Sequence, residues 1–92
     1  MTREEIQVAE KNLRDAYTKA NDAENAYRLA KAKMFLDLSC PKDGSKKPTE
    51  AVITATIDVD PEITTLRVAN AAAQAELDVQ KMTFKAMSLA NG

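Results

Sequence analysis

Apolar and small residues recur along the first third of the chain at alternating spacings of three and four residues. This heptad spacing is typical of one long helix that packs lengthwise against another helix. Thr2 is a suitable N-cap for it, because Glu5 follows three residues later. The pattern therefore predicts a helix over about residues 2–38. Its heptad seam consists of Ile6, Ala9, Leu13, Ala16, Ala20, Ala23, Tyr27, Ala30 and Met34.

Alanine occupies every second position of the heptad seam, from Ala9 to Ala30. Small side chains in one row allow a partner helix to approach to the near end of the usual spacing of about 8–10 Å. We therefore expect a close interface along this side of the helix. Its candidate residues are Ala9, Leu13, Ala16, Ala20, Ala23 and Tyr27.

Residues 40–48, with the sequence CPKDGSKKP, form the main cluster of turn residues and are predicted to be a loop. The following segment, 49–59, supports two interpretations. Alternating β-branched residues from Ile53 to Val59 fit a strand, whereas Thr49 as an N-cap and Glu50 in the first turn fit a helix over about 49–58. A single strand would have no mate elsewhere in the chain, so the helix is favoured. A strand shared between two chains is the alternative.

The last third begins with Asp60-Pro61-Glu62, which combines an N-cap, a proline at the first helical position and an early acid. These residues predict a helix over about 61–89, which carries two apolar seams on opposite sides. A helix that is apolar on two sides is normally buried on two sides. The first seam consists of Ile63, Leu66, Asn70, Ala73, Leu77, Gln80, Phe84 and Met87. The second seam consists of Val68, Ala72, Ala75, Val79, Met82, Ala86 and Leu89.

Two polar residues, Asn70 and Gln80, interrupt the first seam. Buried amides of this kind set the register or the oligomeric state of some coiled coils. The other interpretation is that the true interface rotates away from them. The sequence leaves both open.

Helix lengths predict the topology. The last helix is about eight residues shorter than the first, and segment 49–58 has about the missing length. We therefore expect this segment to fold back on the far end of the first helix, where Leu29, Phe35, Leu36 and Leu38 add apolar surface. The predicted fold is a single all-α domain over residues 1–92, a long antiparallel helical hairpin with a short middle helix. Since one hairpin covers only one seam of the last helix, we also expect a helical-bundle oligomer, most simply a dimer.

The composition excludes several kinds of chemistry. The chain has no histidine and one cysteine, which excludes catalytic histidines, histidine-liganded metals and internal disulfides. The acids around Asp60 lack the ligand spacing of a calcium loop. We therefore expect no enzymatic activity, no metal and no cofactor. The N-terminal residues are polar and no apolar run approaches about 20 residues, so we expect a cytoplasmic protein of the host cell without membrane contact.

Charge is distributed in two opposite blocks. Residues 28–47 hold six basic and two acidic residues, a net charge of +4, and residues 50–62 hold four acids. Adjacent opposite blocks largely cancel over a Debye length of about 8 Å. Direct DNA binding by the basic region is therefore the alternative to a protein-binding role. Its candidate contacts are Lys31, Lys33, Lys42, Lys46 and Lys47.

The segment between the two long helices resembles a pattern found in small phage and prophage proteins. The matching positions are Thr49-Glu50-Ala51, Ile53 and Asp60-Pro61-Glu62. Proteins of this kind are encoded near phage recombination and replication functions. The resemblance implies a phage origin and a non-enzymatic role through an unidentified phage or host protein, as an accessory to or inhibitor in DNA recombination, replication or host defence. It assigns no catalytic residues.

Overall fold

The protein is a long hairpin of three helices. The computed structural model describes residues 2–41 and 46–91, with side chains to residue 90. Helix α1 spans Arg3–Ser39, α2 spans Glu50–Asp58 and α3 spans Pro61–Asn91. The long helices α1 and α3 pack antiparallel, and the described part of the chain measures 65 × 18 × 17 Å. The predicted all-α hairpin with a short middle helix is confirmed.

Each helix begins where a side-chain cap was predicted. Thr2, Thr49 and Asp60 each accept a hydrogen bond from the backbone N–H three residues later, at 3.2, 3.3 and 3.0 Å. Such a bond satisfies one of the N–H groups that the first turn of a helix leaves without a partner. The capping by Thr49 belongs to a regular helix, so the helical interpretation of segment 49–58 is confirmed.

The predicted loop is only partly visible. Cys40 and Pro41 follow the end of α1, and residues 46–49 have no regular secondary structure. Residues 42–45 lie outside the described residues. Helix α3 continues to Asn91, two residues beyond the predicted end.

The stem of the hairpin consists of α1 and α3 alone, and the heptad seam faces the first seam. Every residue of both seams is buried or half-buried. At the centre of the stem, Ala16, Ala20 and Leu77 are buried, and Leu13 and Ala73 pack against them. The small residues of α1 therefore lie directly under the side chains of α3.

All three helices meet at the other end of the molecule. Ile53 and Ile57 of α2 and Ile63 of α3 form a second buried cluster. The part of α1 that they cover is the last stretch of its heptad seam, continued by Leu38. The α1 residues packed against the cluster are Tyr27, Ala30, Met34 and Leu38.

The prediction that the middle segment folds back on the far end of α1 is confirmed, but α2 covers only part of the apolar surface there. Leu38 is covered, but Leu29 and Leu36 are 70% and 65% exposed, and Phe35 is 37% exposed. The reason is that α2 extends along the side of α1 that already carries the heptad seam. Its nine residues do not reach the opposite side.

An amide links the two long helices midway along the stem. The Gln74 side-chain nitrogen donates to the Ala20 carbonyl at 3.3 Å and to Asn70 Oδ1 at 3.2 Å. Asn70 thus takes part in a polar contact within the interface, which fits a role in setting register. Gln80 instead donates to Glu76 on its own helix, at 2.8 Å.

Candidate protein-interaction surface

The second seam lies on the side of α3 that faces away from α1. All seven of its residues are exposed. Its large side chains are well exposed: Val68 is 63% exposed, Met82 71% and Leu89 72%. Because α1 lies on the opposite side of α3, no described part of the hairpin covers this seam.

A strip of α3 centred on the second seam carries no charged residue. At about 100° of rotation per residue, every residue within about 60° of the centre of the seam is uncharged, and the exposed charges of α3 lie at the edges of this strip or beyond them. The strip therefore has the character of an interface core rather than of a solvated helix face. Besides the second seam it includes Pro61, Thr64, Ala71 and Ala90, and Thr65 and Thr83 lie along its edge; all are exposed.

The three threonines on this surface already have hydrogen-bond partners. Thr64, Thr65 and Thr83 each donate the hydroxyl to the backbone carbonyl four residues earlier, at 2.9 Å. A hydroxyl that is bonded within its own helix keeps that bond when another molecule covers it. Covering the second seam therefore leaves no threonine donor unsatisfied, which removes a penalty of about 1–3 kcal/mol for each such group.

The other predicted interface set is occupied within the chain. Of the candidate residues on the first helix, Ala9, Ala16 and Ala20 are buried. Leu13, Ala23 and Tyr27 are half-buried. These six side chains line the contact between α1 and α3, so they are not free for a second chain.

Two of the candidate DNA-contacting residues, Lys31 and Lys33, line grooves together with acids of the second charged block. The Lys31 ammonium is 5.0 Å from the centre of the Tyr27 ring. Lys33 lines a shallow groove together with Asp60 and Glu62 of the acidic block. Folding thus brings the two charged blocks beside each other, and the nearby acids weaken the attraction of these lysines for phosphate.

The remaining candidate lysines lie towards the loop. Lys46 and Lys47 are exposed in the segment before α2. Lys42 lies outside the described residues.

An arginine that the sequence analysis did not single out joins the three helices. Arg67 Nε donates to the Tyr27 hydroxyl at 3.3 Å, and Arg67 Nη2 lies 3.6 Å from Asp58 Oδ1. The hydrogen bond from Arg67 lowers the pKa of Tyr27 and raises the pKa of Arg67. The sequence does place Arg67 beside the first seam, because it follows Ile63 of that seam by four residues and so lies on the same side of α3.

The rest of the described surface offers little for chemistry. Cys40 is an exposed free thiol. Among residues 2–41 and 46–91, no group of three or more acidic or cysteine side chains is close enough to hold a metal ion. None of the described helices combines the length and the apolar character that crossing a membrane requires.

Comparison with models of protein families, with curated proteins and with solved structures finds no match to this chain.

Proposed function

We propose that this chain is a non-enzymatic interaction protein that associates with itself, most simply as a dimer, and in that form binds a protein partner. The observation that carries the proposal is the second seam of α3, an apolar and uncharged helix face that the described hairpin leaves exposed. Over residues 68–89 this face is about 32 Å long at 1.5 Å per residue.

A continuous apolar face of this length is unfavourable in water. Monomeric proteins rarely expose contiguous apolar patches above a few hundred Å². Fully burying a valine, leucine or methionine side chain contributes about 1.5–3 kcal/mol. Val79, Met82 and Leu89 of both copies contribute in this way against the about 4–15 kcal/mol that association costs in lost freedom.

The pattern shared with small phage proteins supports a biological setting for this role. Within that pattern, Thr49 and Asp60 are the N-caps of α2 and α3. The role we propose is that of a phage-encoded accessory to or inhibitor in DNA recombination, replication or host defence, acting through a phage or host protein.

The test of self-association is sedimentation equilibrium at tens of micromolar protein. We expect the unmodified chain to be a dimer and the Val79→Glu variant to be a monomer, because the substitution places a charge in the middle of the second seam. The matched control is Val8→Glu. Val8 is 58% exposed on α1, close to the 53% of Val79, but it does not belong to the second seam.

We expect the Val8→Glu variant to remain a dimer. A monomeric unmodified chain at these concentrations would overturn the proposal of self-association. Equal loss of association in both variants would show that the second seam is not the contact.

A further inference from the structure

We propose that the second copy docks antiparallel on the second seam, with the two-fold axis between residues 80 and 81 of α3. Val79 of one copy then lies against Met82 of the other, and Asp78 of each copy pairs with Lys85 of its partner. This inference rests on the proposed self-association and adds its orientation and register.

The charges that flank the second seam carry the argument. Asp78 and Lys85 lie along one edge of the seam, and Glu76 and Thr83 lie along the other edge. All four are exposed, and neither Asp78 nor Lys85 forms an ion pair with a residue that the structure describes. Charges in these flanking positions set orientation and partner choice in coiled coils.

In an antiparallel pair, each edge of one seam meets the same edge of the other copy. With the axis between residues 80 and 81, Asp78 faces Lys85 twice in the dimer, once on each side of the axis. Glu76 faces the uncharged Thr83. This register keeps six of the seven residues of the second seam in contact, and the contact runs from Ala72 to Leu89.

Other alignments lose this complementarity. Sliding one copy by one heptad so that all seven seam residues make contact brings Asp78 opposite Asp78 and Glu76 opposite Glu76. Like charges placed opposite each other disfavour that register. Sliding the copy by a second heptad also keeps six residues of the second seam in contact. Asp78 then lies beside Ala71, so no ion pair forms.

The parallel alignment in register gains no ion pair either. There the flanking residues that meet are Asp78 with Thr83, and Lys85 with Ala90. The antiparallel register with its axis between residues 80 and 81 is therefore the one that charge complementarity selects.

The position of the second seam on α3 also sets the shape of the dimer. Since α1 and the second copy pack on opposite sides of α3, the helices lie in the order α1, α3, α3 of the partner, α1 of the partner. This is a single layer of four helices, whereas a square four-helix bundle needs contact faces about a quarter turn apart. The two loop ends then point in opposite directions.

Cysteine cross-linking in a Cys40→Ser background tests the register, because Cys40 is the chain's one cysteine. The Ala72→Cys variant is mixed under reducing conditions with Leu89→Cys, Met82→Cys or Ala75→Cys, then oxidised and analysed by mass spectrometry. Each mixture reports one antiparallel register, because residue 72 lies opposite residue 89, 82 or 75 in the three registers described above.

We expect the mixed disulfide to form in good yield only between residues 72 and 89. Disulfides between two copies of residue 72 would indicate the parallel dimer, since the proposed register separates these residues by about 25 Å along the axis. That result, or a mixed disulfide to residue 82 or 75, would overturn this inference while leaving self-association intact. A monomeric chain would overturn both.

Charge exchange provides a second test in chains that contain no added cysteine. Asp78→Lys and Lys85→Asp are each expected to weaken dimerisation about tenfold, since each replaces two attractive pairs by two repulsive ones. The double variant Asp78→Lys/Lys85→Asp restores opposite charges and should regain the affinity of the unmodified chain. Failure of the double variant to recover would contradict the pairing.

Discussion

The two ends of the hairpin are packed in different ways. At the end where three helices meet, Ile53 and Ile63 are only 1% and 2% exposed. In the two-helix stem, the buried side chains are alanines and one leucine, and the larger seam residues are half-buried. Two helices enclose only what lies directly between them, whereas a third helix closes the groove and permits full burial of large side chains.

Exposed apolar side chains remain at both ends of the hairpin, such as Leu36 at 65% at the three-helix end and Met82 at 71% in the stem. Where α2 is present, α1 and α3 share a core of ordinary depth. Where α2 is absent, the stem is a narrow contact of small residues, and the apolar character of α3 extends to its outer face. We therefore expect the three-helix end to be stable by itself and the stem to depend more on association.

The largest expected effect is at the three-helix end. Ile53→Ala should lower the free energy of unfolding by about 2–5 kcal/mol, because it leaves a cavity among three helices. Thermal melts at one fixed protein concentration measure this, because the self-association that we propose would make the melting temperature depend on concentration. The control is Val52→Ala, a neighbouring residue of α2 that is 54% exposed and should change stability by about 0.5 kcal/mol or less.

A loss of equal size for both variants would show that α2 is not anchored through its isoleucine side. It would also show that the three-helix end is not packed more tightly than the two-helix stem.

An intermediate effect is expected in the stem. Ala16→Leu should destabilise the protein by about 1–3 kcal/mol, because Ala16 is 5% exposed and α3 lies directly above it. Ala32→Leu is the control, as Ala32 is an exposed residue of the same helix. Chemical denaturation compares the two. Equal denaturation midpoints for the two variants would mean that Ala16 does not lie in a close contact between α1 and α3.

The smallest effect concerns the junction between the two ends, where Arg67 bonds to the Tyr27 hydroxyl. This bond lowers the pKa of Tyr27 in the folded state, so stability should rise as the pH increases from that pKa towards the ordinary value of about 10. Arg67→Ala should move the pKa of Tyr27 upward and flatten that rise. Tyrosinate absorbance in a Tyr17→Phe background follows Tyr27 alone.

An unchanged titration in the Arg67→Ala variant would show that the bond does not persist in solution. Arg67→Lys is the matched control, because it keeps the positive charge but replaces the guanidinium donor.

Most of the fold could be predicted because its signals are local or periodic. Thr2, Thr49 and Asp60 mark helix starts through hydrogen bonds that reach only three residues along the chain. The facing seams follow from spacings of three and four residues. These features require no knowledge of how distant segments are arranged.

The remaining features depend on the arrangement of whole helices. The exposure of Leu29 and Leu36 follows from the side of α1 on which α2 lies, and no local or periodic signal in the sequence specifies that side. The contact of Arg67 with Tyr27 joins residues 40 positions apart. The apolar character of the second seam was visible in the sequence, and the described hairpin leaves this seam exposed.

The position of the three-helix cluster also has a consequence for the order of folding. The hydrogen bond from Arg67 to Tyr27 closes a separation of 40 residues, and the bond from Gln74 to Ala20, further along the stem, closes one of 54. Closing the shorter loop costs less chain entropy, and once it is closed each further turn of α3 meets α1 without a new loop. The hairpin should therefore nucleate at the cluster and zip towards the ends of the chain, and it should open in the reverse order.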